Sequence, residues 1–329
     1  MVATGVSVRV MVVYNPVSGS GRAAELATGL VERLHGRRLG PDPGELLEVR
    51  AAPSRPEDPR RWLDPLLEGI GLLVVVGGDG AVRLAAASAI RADVPLYHFP
   101  AGTENLFARD HGMRADPAVL LRAIEHGSTR RLDVFRVDGE LGLLFASVGF
   151  DAEVVQDLSV RRTGSIRHLS YLPPILRQLL AWRRIRPRIH LEVDGRSLGA
   201  PRHGLGLVAN SPQYALRLNP ARGARPDDGQ LDVLLLPART FIGLLAWAVR
   251  CRLGRAGSGA MRPVGRGRRV TLELDRPAHL QIDGDPARGD GPRARYEVLL
   301  EPGVLPIRSP SSENHPPGEK IPGDRGNTG

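Results

Sequence analysis

The sequence predicts an α/β domain with a parallel sheet, followed by a second domain rich in short β-strands. In residues 1–131, strand-like and helix-like segments alternate, which is typical of βαβ units. In residues 132–301, short apolar segments follow one another between turns, which is typical of antiparallel sheets. Residues 309–329 contain a single aliphatic residue, Ile321, so we expect this segment to be a disordered tail.

In the first domain, four segments rich in apolar residues predict strands. These segments span residues 8–14, 46–51, 72–76 and 95–99, and helical spacing is found between them at 23–34, 62–68 and 81–90. The first, third and fourth strands end in loops of small and polar residues, Asn15–Gly21, Gly77–Gly80 and Pro100–Asn105. Because the carboxyl ends of parallel strands meet at one edge of a sheet, we expect the three loops to line a single crevice.

In the second domain, eight short apolar segments predict strands and two longer segments predict helices. The strands span residues 132–138, 141–149, 189–194, 205–209, 231–236, 270–275, 278–283 and 295–300. The helices span residues 166–185 and 240–253. Turn sequences such as Asp283-Gly284-Asp285 separate the strands, so we expect antiparallel β-structure interrupted by two helices.

The composition of the chain excludes several function classes. The net charge is +9, and Lys320 is the only lysine among 45 basic residues. P-loop NTPases and protein kinases need a lysine at the phosphates, so neither class fits. A single cysteine, Cys251, excludes an internal disulfide and any multi-cysteine metal site. Aromatic residues make up 4% of the chain and the arginines are dispersed, so we expect no nucleic-acid partner.

The sequence contains no signal-peptide pattern and no unbroken apolar segment of bilayer length, so we expect a cytoplasmic protein. Residues 166–188 interleave apolar residues at helical spacing with six arginines. Two interpretations of this segment stay open. It is either an amphipathic helix in peripheral contact with the inner face of the membrane, or a core-packing helix with a solvated basic edge. The segment Phe241–Val249, which arginines also border, leaves the same choice.

The loop Gly77-Gly78-Asp79-Gly80 follows an apolar strand and opens a helix. Glycines let backbone N–H groups approach a phosphate closely, and the N-terminus of a helix favours anions. An aspartate in such a loop indicates a divalent cation or a ribose hydroxyl. A plain turn between strand and helix is the alternative for this loop alone, but three such loops in order favour a nucleotide site.

These loops, in this order, resemble the diacylglycerol kinase catalytic-domain family, which includes sphingosine kinases, ceramide kinases and bacterial soluble lipid kinases. The resemblance covers roughly residues 8–308 and rests on seven segments. They are Asn15-Pro16-Val17-Ser18-Gly19, Gly77-Gly78-Asp79-Gly80, Pro100-Ala101-Gly102-Thr103-Glu104-Asn105, Leu132-Asp133-Val134, Val148-Gly149-Phe150-Asp151-Ala152, Asp227-Asp228-Gly229-Gln230-Leu231-Asp232 and Asp283-Gly284-Asp285-Pro286. The glycine loop alone is also found in NAD kinases and phosphofructokinases, whereas the ordered set is specific.

The resemblance implies a nucleotide domain like that of phosphofructokinase and NAD kinase, a β-sandwich lipid domain, and completion of the first domain by residues 302–308. It implies ATP and Mg²⁺ as cofactors. The implied nucleotide-binding residues are Asn15, Pro16, Val17, Ser18, Gly19, Gly77, Gly78, Asp79, Gly80, Gly102, Thr103 and Asn105. The region of Arg225, Asp228 and Gln230 is implied to hold a structural magnesium ion, partly through main-chain carbonyls, and Asp79 is a further candidate metal ligand.

The resemblance also implies transfer of the γ-phosphoryl group to the hydroxyl of diacylglycerol or a related lipid at a membrane surface. Asp283 and Asp285 are both candidates for the general base, and the sequence leaves the choice between them open. The chain departs from the family pattern at Ala81, Leu84 and Leu106, where the family has polar or acidic residues. A non-catalytic lipid- or nucleotide-binding protein therefore stays open, as does an NAD kinase. The identity of the lipid and the formation of a homodimer are also open.

Overall fold

The structure is a computed structural model that describes residues 7–16, 18–40, 45–160, 172–237, 240–253, 264–289 and 291–310. Its helices are α1 (Arg22–Leu34), α2 (Pro59–Trp62), α3 (Asp79–Ala92), α4 (Leu106–Asp110), α5 (Pro117–His126), α6 (Phe150–Val160), α7 (Leu172–Ile185) and α8 (Phe241–Arg252). The predicted tail lies outside the described residues from residue 311 onwards.

The strands alternate with helices in the first domain and follow one another in the second. They are β1 (Ser7–Tyr14), β2 (Arg38–Leu39), β3 (Glu45–Pro53), β4 (Leu72–Gly77), β5 (Leu96–Pro100), β6 (Ser128–Val137), β7 (Glu140–Gly142), β8 (Phe145–Val148), β9 (Arg188–Val193), β10 (Arg196–Ser197), β11 (Arg202–Ala209), β12 (Leu231–Pro237), β13 (Gly265–Gly267), β14 (Arg269–Ala278), β15 (Leu280–Ile282), β16 (Asp285–Pro286) and β17 (Arg293–Ser309).

The first domain is built on the parallel strands β3, β1, β4 and β5, which are neighbours in that order. Every residue of β4 is buried, as expected for a central strand with both faces covered. On α1, the buried residues Ala23, Ala27, Leu30 and Leu34 form one stripe at helical spacing. This arrangement brings the carboxyl ends of β1, β4 and β5 to one edge of the sheet, as predicted.

The long strand β17 joins the two domains. Its first part pairs antiparallel with β14, and its later part pairs with β6 and places Ile307 beside Leu96 of β5. One sheet therefore runs from the parallel strands of the first domain into the second. The exact domain boundary stays a prediction, because β6 crosses residue 131 without a break.

The second domain is a β-sandwich. A second sheet, in the order β13, β12, β11, β8, β15 and β16, packs against β6, β9, β14 and β17 of the first sheet. The core between the sheets contains residues from both, among them Phe135, Val148, Leu191, Val233 and Leu272. The predicted fold class, a parallel α/β domain followed by a β-sandwich, is confirmed.

Several predicted elements differ in detail from the structure. The strand expected over residues 141–149 is two strands, β7 and β8, with a break at Leu143 and Leu144. Helices α4, α5 and α6 were not predicted. The predicted helix at 240–253 is α8, while α7 is described only from Leu172. In the described part of the chain, no helix is both long and apolar enough to cross a membrane.

Candidate active site

The loops at the carboxyl ends of β1, β4 and β5 line one cleft between the two domains, with a volume of about 1360 Å³. The residues of the sequence prediction that line it are Asn15, Ser18, Gly78, Asp79, Gly80, Gly102, Thr103, Asp283 and Asp285. Small-molecule sites usually measure about 300–1,000 Å³, so this cleft has room for more than one small ligand.

The glycine loop and the third loop are in direct backbone contact. A Cβ atom on Gly102 would lie 2.6 Å from Cα of Gly78, so only glycine permits this approach. The Asn105 side chain holds the third loop closed: the N–H of Gly102 donates to Oδ1 (2.9 Å), and Nδ2 donates to the carbonyl of Gly102 (2.8 Å). Asn105 therefore shapes the loop from within instead of lining the cleft.

Asp79 joins these two loops. Its two carboxylate oxygens accept hydrogen bonds from the backbone N–H groups of Leu106 and Phe107, each at 3.0 Å, at the start of α4. Beneath the loop, Nε2 of the buried His98 donates to the carbonyl of Gly77 at 2.9 Å. Burial lowers the pKa of His98, so the ring is neutral at pH 7. Asp79 therefore holds the glycine loop to the start of α4, whether or not it also binds a ligand.

The first loop closes on the end of β1. The N–H of Asn15 donates to the carbonyl of Val76 on β4 (3.3 Å), and the N–H of Ser18 donates to the carbonyl of Asn15 (3.0 Å). Pro16 lies in the turn between them, Gly19 is part of a short 3₁₀ helix, and Val17 lies outside the described residues. The backbone therefore turns sharply beside the glycine loop.

The two candidate bases have different environments. Asp283 is buried, with 7% of its surface exposed. Its carboxylate accepts hydrogen bonds from the backbone N–H groups of Leu143, Leu144 and Phe145 at 2.8–2.9 Å. Burial raises its pKa to about 6 against the opposing effect of these bonds. Asp283 acts as a clamp for the break between β7 and β8.

Asp285 faces the glycine loop across the cleft. Its side chain is 41% exposed, and its Oδ2 accepts a hydrogen bond from the guanidinium of Arg83 on α3 at 3.1 Å. A Cβ atom on Gly80 would lie 3.3 Å from the same oxygen. Asp285 therefore approaches the first turn of α3, where the positive end of the helix dipole favours a carboxylate.

A magnesium ion beside the nucleotide fits the chemistry of the cleft. Asp79 and Asp285 offer carboxylate oxygens there, which are the ligands that magnesium prefers. Each oxygen of Asp79 accepts one backbone hydrogen bond and keeps a further lone pair. In phosphoryl-transfer sites, magnesium is usually held by one or two carboxylates together with substrate phosphates and water.

The predicted structural magnesium site lies away from the cleft, and the charged side chains of its residues are paired with other groups of the protein. The carboxylate of Asp228 accepts from the backbone N–H of Gln230 (3.1 Å) and from the guanidinium of Arg266 (2.7 Å). Arg266 also pairs with the buried Asp232 at 3.0 Å. Arg225 points its charge to a neighbouring aspartate. The guanidinium of Arg266 thus binds the carboxylate of Asp228, which a magnesium ion would also need.

Two residues of the cleft are not among the individually predicted site residues. Arg83 ends the segment Gly77–Arg83, which the family resemblance implies to lie at ATP, and its side chain is 12% exposed between the carboxylates of Asp285 and Glu140. Glu140 lies at the start of β7 and bonds Arg83 at 3.1 Å. No local signal marks Glu140, because its partner is 57 residues away and the pairing depends on the docking of the two domains.

The motif residue Asp151 lies in a buried polar network on α6. Its Oδ2 accepts hydrogen bonds from the hydroxyl groups of Ser147 and Tyr214, each at 2.5 Å. Gln281 on β15 donates to the same Ser147 hydroxyl at 2.6 Å. Burial raises the pKa of Asp151. The network ties α6 to β15, so this motif supports the hairpin of Asp283 and Asp285.

Comparison with known proteins agrees with this geometry. A model of the diacylglycerol kinase catalytic domain matches residues 9–137, and a model of the YegS C-terminal NAD kinase beta sandwich-like domain matches residues 145–308. The chain belongs to the diacylglycerol kinase catalytic-domain family. The resemblance that the seven segments indicated is thereby confirmed, and both domains of the family are present in order.

Curated relatives carry lipid-kinase names, and a solved structure shares the fold. A protein named "Probable lipid kinase YegS-like" from Pseudomonas fluorescens is 28% identical over 274 residues, covering 80% of this chain and 86% of its own. A protein named "Diacylglycerol kinase" from Mycobacterium tuberculosis is 29% identical over 245 residues, covering 72% and 76%. The crystal structure of a diacylglycerol kinase from Bacillus anthracis matches with a TM-score of 0.63 at 15% identity, covering 92% and 96%, and shares the fold.

Asp283→Asn should destabilise the protein, whereas Asp285→Asn should not. An asparagine at 283 keeps one oxygen but turns its NH₂ group toward a buried backbone N–H, which costs about 2 kcal/mol. Asp285 is partly exposed, and the loss of its ion pair costs about 1 kcal/mol or less. Chemical unfolding of both variants measures the difference. Equal stability of the two variants would contradict the structural role that we assign to the Asp283 carboxylate.

Arg266→Gln should create a magnesium dependence that the natural chain lacks. The substitution frees the carboxylates of Asp228 and Asp232 for a cation. At a magnesium concentration ten times the Kd, linkage then adds about 1.4 kcal/mol to stability. Thermal unfolding with and without magnesium, in the absence of nucleotide, measures this. A magnesium-dependent rise in the Tm of the unsubstituted protein that Asp228→Asn removes would contradict it.

Proposed function

We propose that this chain is an ATP- and magnesium-dependent lipid kinase that transfers the γ-phosphoryl group to the hydroxyl of diacylglycerol or a related lipid. One observation carries the proposal: a partly exposed carboxylate of the second domain, Asp285, faces the glycine loop and the N-terminus of α3 across the cleft. The two halves of a phosphoryl-transfer site, a phosphate cradle and a base for the acceptor, thus lie on opposite walls.

Asp285 is the base in this proposal. The carboxylate of Asp283 accepts three backbone hydrogen bonds and the residue is 7% exposed, whereas the Asp285 side chain is 41% exposed, so Asp285 is the more accessible of the two to a substrate. Asp285 accepts the proton of the lipid hydroxyl while the hydroxyl oxygen bonds to the γ-phosphorus. The bond between the γ-phosphorus and the β,γ-bridging oxygen breaks, and ADP leaves with the electron pair. Magnesium supplies neutralisation of phosphate charge.

The first domain supplies the nucleotide site. The glycine loop and the N-terminus of α3 line the cleft, and the partial positive charge of a helix N-terminus favours phosphate. Asn15, Ser18 and Thr103 add polar groups along the same wall. Ala81 and Leu84, which replace polar family residues, also line the cleft and make the wall less polar there.

A lipid substrate requires contact with a membrane, and α7 and α8 provide a surface suited to it. We define the α7–α8 face by their exposed large apolar side chains: Leu176, Leu180, Ile242, Leu245, Val249 and Leu253. Leu180 is 82% exposed and Ile242 is 73% exposed. The opposite side of α7 packs inward through the fully buried Trp182, which contacts Leu244 and Phe150.

The charge of these helices favours an anionic bilayer as the occupant of the α7–α8 face. Neither helix contains an acidic residue, and both contain arginines, among them Arg177, Arg250 and Arg252. Basic side chains beside an exposed apolar face are typical of helices that lie in the membrane interface. The two interpretations of the sequence are thus combined: one face of α7 packs in the core, and we propose that the other contacts lipid.

The unsubstituted protein should transfer labelled γ-phosphate from ATP to a lipid alcohol in anionic mixed micelles. Asp285→Asn should lower kcat at least about 100-fold, because the general base is lost. Asp93→Asn is the matched control, since it removes the same charge at the exposed C-terminal end of α3. A panel of diacylglycerol, sphingoid bases, ceramide and undecaprenol identifies the acceptor.

Two results would contradict the proposed function. ATP binding without transfer to any lipid would identify a non-catalytic binding protein, for which Ala81, Leu84 and Leu106 are the first residues to revert. Transfer of phosphate to NAD instead of a lipid would identify an NAD kinase. Full activity of Asp285→Asn would reject the assigned base but not the kinase.

The double variant Leu180→Glu, Ile242→Glu should bind anionic vesicles at least about tenfold more weakly, because two exposed apolar side chains no longer enter the bilayer. Co-sedimentation with phosphatidylglycerol vesicles measures this, and phosphatidylcholine vesicles test the role of charge. Leu46→Glu is the control, since Leu46 is exposed on β3 in the first domain. Unchanged binding by the double variant would reject the α7–α8 face as the contact.

A further inference from the structure

Arg83 connects the two walls of the cleft. It lies on α3, one helical turn after Asp79, and its two terminal nitrogens bind different carboxylates. Nη1 donates to Oε1 of Glu140 and Nη2 donates to Oδ2 of Asp285, each at 3.1 Å. The guanidinium belongs to the first domain, whereas β7 and β16, which carry its partners, belong to the second.

The ion pair of Arg83 with Glu140 is shielded from water, whereas its pair with Asp285 is partly exposed. Only 12% of the Arg83 side chain and 15% of the Glu140 side chain are exposed, compared with 41% for Asp285. Glu140 is held in turn, because its Oε2 accepts from the backbone N–H of Arg288 at 2.8 Å. Pairs that are partly buried and held at several points are screened less by solvent than surface pairs. The network has a defined geometry.

The position of the backbone by itself does not fix the side-chain rotamer of Asp285. β16 has two residues, and its pairing with β15 holds the main chain at Asp285 and Pro286. Among the described contacts of the carboxylate, the hydrogen bond from Arg83 directs it toward α3. The absence of a side chain on Gly80 leaves room for it there. Arg83 and Gly80 together receive the carboxylate at the first turn of the helix.

We propose that Arg83 is a positioning residue, which holds the carboxylate of Asp285 at the start of α3 so that the base faces the acceptor hydroxyl during transfer. This proposal rests on the proposed kinase function. A planar guanidinium suits the task because its fork binds two carboxylates in fixed directions, whereas a lysine ammonium is a point charge without a fixed plane. A reacting group displaced by about 1 Å can cost about 100-fold in rate.

Removal of the guanidinium has a second effect. Glu140 and Asp285 are both 3.1 Å from nitrogens of the same cation, so without it they repel each other. The partly exposed Asp285 is the one that turns away toward solvent, since Glu140 keeps its backbone partner. Neutralising Glu140 as well should therefore restore part of the position of Asp285.

Four variants test this role in the lipid-phosphorylation assay. Arg83→Met should lower kcat about 100-fold while the KM for ATP changes less than about twofold. Arg83→Lys should recover a minor part of kcat. The double variant Arg83→Met, Glu140→Gln should exceed Arg83→Met alone. Arg131→Met is the matched control, because it breaks a cross-element ion pair with Asp93 at the other end of the same helix and should retain full kcat.

The outcomes separate this proposal from the function on which it rests. No transfer by the unsubstituted protein overturns the proposed function and the role of Arg83 together. Full kcat in Arg83→Met, beside an active unsubstituted protein, overturns the role of Arg83 alone. A large rise in the KM for ATP with unchanged kcat would make Arg83 a nucleotide-binding residue. A double variant as slow as Arg83→Met or slower would mean that Arg83 is merely structural.

Discussion

The carboxylate of Asp283 is the contact on which the geometry of the cleft depends. It accepts three backbone N–H groups at the break between β7 and β8, and its own N–H donates to the carbonyl of Phe145. Asp283 also has a left-handed backbone conformation, with φ of 53°. A buried carboxylate is costly unless it is hydrogen-bonded, and hydrogen bonds to a charged group contribute about 1.5–3 kcal/mol each. The hairpin is thereby anchored against β8.

Asp285 lies two residues after Asp283, so its position depends on the anchored hairpin. The backbone turn at Asp283 and Gly284 sends the chain into the cleft, where the carboxylate reaches the first turn of α3. A rigid hairpin that presents an exposed carboxylate is a suitable support for a base. In the proposed function, Asp283 of the Asp-Gly-Asp sequence has the structural role and Asp285 the chemical one.

A second constraint is the strand β17, which belongs to both domains. Asp133 on β6 holds its irregular centre by accepting from the N–H of Gly303 at 2.7 Å, and it accepts from Gly229 at the same distance. Because β17 pairs with β5 as well as β14, one sheet continues from the first domain into the second, and the second sheet, which carries the hairpin, packs against it. The cross-domain pairing of Arg83 depends on this arrangement.

At two places where carboxylates lie close together, an arginine side chain supplies the positive charge between them. Arg83 bridges two carboxylates in the cleft, and Arg266 bridges Asp228 and Asp232 at the place where the family resemblance implied a structural magnesium ion. A guanidinium is always protonated and can bind two carboxylates at once. Arg266 lies outside the recognised motif, yet it binds two of the carboxylates of that motif.

The sequence by itself determined the α/β and β-sandwich classes, the three loops at one edge, and the family, since local apolar patterns and motif order are encoded within short segments. It also contained the signal for α5, whose N-cap Asp116 and following Pro117 are recognisable. Only the tertiary structure decided the different environments of Asp283 and Asp285 and brought Arg83 to Glu140. These contacts join residues more than fifty positions apart in the sequence. They form only when the two domains dock, so no local sequence pattern could predict them.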